Sequence, residues 1–283
     1  MSVSAGGVRR DDCHTASDDT EAIYDTDVDM TPELAAALPI LLGIFLLASI
    51  IQSAAGFGFG LFSVAALSLF VELKVSTPLL AIVNAPVILY VLWRLRRHIV
   101  SGDLGPIILG MLAGIPFGTL VLVNWPSEIL LRVLAVVLLV AAYRSLRANN
   151  GTACEPATTA PACTLSKLSA AGVGAAMGAL AGAFNTGGPP VIAYVYCRPW
   201  TKEQRTATLQ AIFAISVLVR IVAYAAWGLY DTALVTTAMV CLPSTLAGMF
   251  VGYALFRRFP PRALEIFVAV FLAFVAVKLL IWT

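Results

Sequence analysis

The chain has 283 residues, of which 60% are hydrophobic and only 12% charged, with a mean hydropathy of +0.90. Soluble globular chains run at about 45–50% apolar and about 25% charged, so an ordinary soluble domain is excluded, and a bilayer is the solvent that accepts this much apolar side chain. The net charge is +2 and no basic tract is longer than Arg94-Leu95-Arg96-Arg97, which excludes nucleic acid as a partner.

Residues 1–33 read as a tail. Within residues 1–30 lie Asp11, Asp12, Asp18, Asp19, Glu21, Asp25, Asp27 and Asp29, half of the 16 acidic residues of the chain. With few large apolar residues and no sustained period, this segment is expected to be disordered and solvated. It lacks the apolar stretch and cleavage site of a secretory signal peptide.

Apolar segments follow at 34–71, 77–93, 104–124, 128–146, 167–197, 206–228, 232–256 and 263–282. A spanning helix takes about 20 apolar residues. Segments 34–71 and 167–197 are too long for one straight helix. Gly56-Phe57-Gly58-Phe59-Gly60 breaks the first and Asn185-Thr186-Gly187-Gly188-Pro189-Pro190 the second. The fold class expected is therefore an all-α polytopic membrane protein of about eight or more helices. Residues 34–147 form a first membrane repeat, 148–166 a linker rich in Ala, Thr, Pro and Gly, and 167–283 a second repeat. The basis for the repeat is an ungapped match of 112–143 with 246–277. It pairs Leu112-Ala113-Gly114 with Leu246-Ala247-Gly248, Gly118 with Gly252 and Pro126 with Pro260. A second match, at an offset of 126, pairs Gly56 with Gly182 and Asn84 with Gln210.

Charge sets the orientation. Lys and Arg gather in short loops on the cytoplasmic side, yet simple crossings cannot put the basic loops of both halves on one side. The conflict disappears if each broken element starts and ends on the same side, as a re-entrant hairpin or as two crossings. The repeats are then inverted. Twelve basic residues fall inside and Arg9, Arg10, Lys74 and Lys278 outside, while Arg132 and Arg220 remain within apolar segments. Both termini lie outside and the linker inside.

The breaks carry the candidate chemistry. A half-helix that begins inside the membrane offers unpaired N–H groups and a partial positive charge, which an anion satisfies. Asn185 or Thr186 can cap such a start, Gly187 and Gly188 let backbone approach a ligand, and Pro189 suits a first helical turn. Gly56 to Gly60 form the counterpart in the first half, with Phe57 and Phe59 shaping the pocket. Arg220, within segment 206–228, is read as a counter-charge for an anion or as a snorkelling side chain. Asn84 and Gln210 are read as substrate donors or as interhelical hydrogen bonds. Gln52, one turn before Gly56, is a weaker candidate. The stripe Gly174, Gly178, Gly182 reads as helix packing, and Glu128, Arg132 and Glu265 as interfacial.

The paired motifs Gln52-Ser53-Ala54-Ala55-Gly56-Phe57-Gly58-Phe59-Gly60 and Gly182-Ala183-Phe184-Asn185-Thr186-Gly187-Gly188-Pro189-Pro190 resemble the signatures of the sulfite exporter TauE/SafE family, also called the toluene sulfonate uptake permease superfamily. The resemblance covers residues 38–282. It implies a multi-pass plasma-membrane transporter, usually prokaryotic, for sulfite, sulfoacetate or other sulfonates. Asn185-Thr186 stands where a further glycine is common in the family, which implies an altered pocket.

Three rivals remain. An intramembrane enzyme needs a nucleophile with a base, a carboxylate pair or a metal cluster. The apolar segments hold no His and no Asp pair, and the five cysteines have no CxxC spacing, so no catalytic residue, metal or cofactor is expected. A channel of the same architecture stays open as the alternative. A purely structural protein has no need of two matched glycine breaks. The partners expected are a small anion and the lipid bilayer, with self-association open.

Overall fold

A computed structural model describes residues 32–100, 104–147, 167–196, 198–256 and 261–282. The tail through residue 31 and the linker 148–166 lie outside the described residues. The chain divides into Met1–Ala36 and Ala37–Thr283. Of the first part only Pro32–Ala36 is described, as helix; the helical structure from Ala37 onward belongs to the second.

Among the described residues the secondary structure is helical. The elements are α1 (Pro32–Ala55), α2 (Phe59–Leu67), α3 (Leu73–Leu95), a 3-10 turn (Arg96–His98), α4 (Leu104–Asn124), α5 (Ser127–Arg147), α6 (Lys167–Phe184), α7 (Gly188–Tyr196), α8 (Lys202–Ala226), α9 (Thr232–Phe256) and α10 (Pro261–Trp282). Five helices among these residues are long and apolar enough to cross a membrane: Leu73–His98, Leu104–Asn124, Lys167–Phe184, Lys202–Ala226 and Thr232–Ala254. The two overlong segments are each broken at the expected place, into α1 and α2 and into α6 and α7.

Both broken elements are hairpins. Phe59 stacks on Phe45 with ring centroids 6.1 Å apart, and its N–H donates to Gln52 Oε1 at 3.1 Å, so α2 runs back along α1. A Cβ at Gly187 would sit 2.9 Å from both Ala181 Cβ and the Met177 carbonyl oxygen, so α7 likewise turns back along α6. With nine residues each, α2 and α7 are about 14 Å long, half of a hydrocarbon core.

The hairpins enter from opposite ends of the helix bundle. Helices α3 and α8 are antiparallel, with Val91 and Leu95 of α3 packed on Ala207 of α8. The end of α3 and the start of α8 thus share one end, which carries Arg94, Arg96, Arg97, Lys202 and Arg205. Thr201 caps α8 there in a capping box with Gln204. The exit of α7 returns to this end: Arg198 donates to the Tyr194 hydroxyl at 2.7 Å and Arg205 to the Arg198 carbonyl at 3.3 Å. The exit of α2 leads instead to the start of α3 at the opposite end. There the Ser127 hydroxyl at the head of α5 donates to Glu72 Oε1 at 2.6 Å.

Glycine decides which helices touch. Gly110, Gly114 and Gly118 lie against the backbone of α6, and Gly174, Gly178 and Gly182 against that of α4 in the same order, so these helices run parallel in close contact. The Leu-Ala-Gly-x-x-x-Gly stretch of the second half does the corresponding thing. Gly248 and Gly252 of α9 lie against α1, where Cβ atoms would meet Ser49 Cβ at 3.0 Å and Ser53 Cβ at 2.9 Å. Each half therefore lends a helix to the hairpin of the other.

The helix boundaries of the two halves can be compared with the offsets read from the sequence. Helix α2 begins at 59 and α7 at 188; α3 begins at 73 and α8 at 202; α1 ends at 55 and α6 at 184. These three pairs are 129 residues apart, α4 and α9 begin 128 apart, and α5 and α10 begin 134 apart, the spacing of the match of 112–143 with 246–277. Apolar helices match at several offsets because a shift of three residues rotates a helix face by only about 60°. At 129, Gly56 corresponds to Asn185, and both have positive φ, 86° and 59°. At that spacing Asn84 falls opposite Phe213, and at 126 opposite Gln210.

Candidate functional site

The hairpin tips meet in the interior. Gly60, in the first turn of α2, packs against the Asn185 carbonyl oxygen so closely that a Cβ would overlap it. A cavity lies at this junction. It takes Gln52, Gly58, Gly60 and Leu61 from the first hairpin and Met177, Ala181, Asn185, Thr186, Gly187 and Gly188 from the second. Helix α3 supplies Asn84 and Ile88, one turn apart, and α8 supplies Phe213, Ser216 and Arg220 from one face. About 30 Å³ is open to the centre of a water-sized particle. A single water needs about 10–15 Å³ by the same measure, so the space suits a solute of a few heavy atoms.

The lining combines one cation with amides and hydroxyls and holds no carboxylate. Arg220 is 4% exposed and is the one charged residue among those that line the cavity. Its Nε donates to the Ser216 carbonyl at 3.3 Å and one terminal nitrogen to the Ala181 carbonyl at 3.4 Å, two of the five donors a guanidinium carries. Tyr224, one turn on, donates to the Gly182 carbonyl at 2.9 Å. These two side chains thereby satisfy carbonyls in the last turn of α6, where the helix dipole is negative and favours a cation.

Around Arg220, polar atoms lack protein partners. Asn84 Oδ1, Asn185 Oδ1 and Nδ2, Thr186 Oγ1 and Ser216 Oγ are buried without a hydrogen bond inside the protein. Each such atom costs about 1–3 kcal/mol unless something polar meets it. Five of them around one cation make the cavity a place for a polar solute. Two helix starts add to this field: α2, capped at Gly58 with φ 111°, and α7, which begins at Gly188. Pro189 and Pro190 carry no N–H, so two of the four orphan donors expected at the start of α7 are missing and the approach is left to Gly187 and Gly188. Gly188 has room for it: a Cβ there would meet Ile192 Cδ1 at 3.2 Å and little else.

The structure gathers Gly58, Asn84, Asn185, Thr186, Gly187, Gly188 and Arg220 of the predicted residues around this cavity. Gly56, Phe57, Pro189 and Gln210 lie outside its lining. Gln210 Nε2 donates to the Gly56 carbonyl at 2.9 Å, and Thr206 occupies the space where a Gly56 side chain would go. Gln210 and Gly56 therefore hold the first break in shape. Gln52 plays a double part, lining the cavity while its side-chain oxygen accepts from Phe59 N–H. Of the first-half counterpart Gly60 also lines the cavity and Phe59 does not, while sequence reasoning missed Phe213 and Ser216. Ser216 had one usable signal, its place one turn before Arg220 on the same face of α8.

No curated protein sequence and no solved structure matches the chain. A protein-family model described as sulfite exporter TauE/SafE matches residues 41–279, which takes in both hairpins, the cavity and all ten helices in whole or in part. The chain is a multi-pass membrane protein of the sulfite exporter TauE/SafE family, a family of transporters.

Proposed function

We propose that the protein is a secondary transporter of small sulfur oxyanions, sulfite or a short sulfonate, in the plasma membrane. The observation that carries this reading is the cavity at the hairpin tips, where Arg220 and five unpartnered polar atoms face a space fit for a few heavy atoms. Arg220 neutralises the charge of the anion. Asn185 Nδ2, Thr186 Oγ1 and Ser216 Oγ replace its water. Gly187 and Gly188 allow the backbone to reach it. Phe213, Ile88 and Met177 close the apolar side and limit the size of the substituent on sulfur.

The two halves are inverted repeats in this reading, supported by the 129-residue spacing that the ends of α1 and α6 and the starts of α2 and α7 and of α3 and α8 share, and by hairpins entering from opposite ends. The basic end faces the cytoplasm. Access alternates as one hairpin and its helices rock against the other around the shared site.

The test is flux of radiolabelled sulfite in proteoliposomes. The proposal expects saturable uptake, acceleration by sulfite on the opposite side, competition by sulfonates and none by neutral solutes. Gly188→Leu, which fills the open space at the start of α7, is expected to abolish flux in protein that still inserts. Flux that rises linearly with concentration and shows no exchange would make the protein a channel, and wild-type flux from Gly188→Leu would place the site elsewhere.

A further inference from the structure

A second feature, outside the cavity lining, lies where α3 and α9 meet at the basic end. Tyr90 of α3 packs edge-on against Phe250 and Tyr253 of α9, at centroid distances of 5.4 and 5.9 Å. Beside them Trp93 and Phe250 are each 56% exposed. The Arg94 guanidinium carbon lies 5.3 Å from the Tyr253 ring centre and 6.0 Å from that of Trp93, and Arg96 shares the same indole at 5.7 Å. Arg94, Arg96 and Arg97 are exposed, and none forms an ion pair with a described residue.

Three arguments point to one occupant. The exposed Trp93, with the half-buried Tyr90 and Tyr253 beside it, marks the level of the lipid headgroups. An arginine held by a ring face keeps its planar fork for an oxyanion, in the bidentate manner phosphates favour. The α3 dipole offsets one positive charge at its end, not three. The group at that level that can supply the remaining counter-charge is a lipid phosphate. We propose that the Tyr90–Trp93–Arg94–Arg96–Tyr253 cluster binds the phosphate headgroup of an anionic phospholipid in the leaflet at the basic end. Asn84 lies ten residues before Arg94 on the same helix, about 15 Å away, so a lipid there bears on α3 without entering the cavity.

The test does not depend on what the cavity carries. Purified protein is placed in nanodiscs of phosphatidylcholine doped with brominated phosphatidylglycerol or brominated phosphatidylcholine. The Trp93 contribution to fluorescence is read as the difference between the wild type and Trp93→Phe. The proposal expects phosphatidylglycerol to associate with Trp93 about fivefold or more in preference to phosphatidylcholine, since each basic residue near a charged surface adds about that factor. Arg94→Gln with Arg96→Gln should abolish the preference, and Lys74→Gln, at the other end of α3, should keep it. Equal quenching of the wild type by the two lipids overturns the proposal whether or not the double variant folds. So does a preference that survives in the double variant, or one that soluble glycerol 3-phosphate displaces.

Discussion

Gly60→Ala is the smallest change that pushes the two hairpins apart. The added methyl would overlap the Asn185 carbonyl oxygen and lie 3.1 Å from its carbonyl carbon. Both partners are backbone, so no side chain can swing away, and the tips must separate by about 1 Å to restore ordinary contact. Overpacking of this kind costs about 1–3 kcal/mol, which lowers the population with the tips joined about 5- to 150-fold. The assay pairs thermal unfolding in detergent with sulfite flux, using Gly43→Ala as the control. Gly43 lies in α1 with nothing within 4 Å of a would-be Cβ, so that variant should match the wild type. Gly60→Ala should unfold at lower temperature and lose most of its flux. If Gly60→Ala is as stable and as active as Gly43→Ala, the two tips do not touch as described and the cavity between them loses its basis.

Gln210→Leu removes the donor to the Gly56 carbonyl while leaving the cavity lining intact. It should destabilise the fold by about 1–3 kcal/mol in chemical unfolding with little change in the sulfite concentration at half-maximal flux. Flux of a permanently ionised sulfonate should be flat between about pH 6 and 9, because Arg, Asn, Gln, Ser and Thr do not titrate there. The nearby Tyr230 hydroxyl, pushed up to about 12 by burial, stays protonated across that range. A titration midpoint inside the window would reveal an unrecognised proton-carrying group. Single cysteines in the linker 148–166 should react with an impermeant reagent only from the cytoplasmic side, and a cysteine at 283 only from outside; the reverse pattern would invert the orientation.

How much the sequence disclosed depends on how strongly each feature is encoded. Gly56–Gly60 and Asn185–Pro190 interrupt long apolar runs, and an interruption by glycine and proline has few other meanings, so both breaks were legible. That each break is a hairpin depends on contacts such as Phe59 on Phe45 and Gly187 beside Ala181, which no local pattern carries. Gln210 and Asn84 look alike in a sequence, as single amides in apolar helices. One binds a backbone carbonyl and the other keeps an oxygen unpartnered at the cavity. Ser216 was hidden for a related reason. Hydroxyls in such helices commonly bond the carbonyl four residues back, as Ser49, Thr119 and Thr245 do at 2.7, 3.0 and 3.0 Å. Ser216 Oγ makes no bond within the protein, and only its surroundings distinguish it. Gly60 belonged to the motif but gave no sign that its partner would be Asn185, 125 residues away.

The claim on which the account depends most is that Arg220 and its unpartnered neighbours bind the anion. Equilibrium binding of radiolabelled sulfite to purified protein in nanodiscs tests it without requiring transport. Wild-type protein should bind saturably at one site per chain. Arg220→Gln should bind about 10-fold or more weakly, as expected for the loss of a charge-assisted hydrogen bond worth about 1.5–3 kcal/mol, and Arg220→Lys should recover part of the affinity. Equal sulfite affinity in the wild type and a well-folded Arg220→Gln would contradict the account.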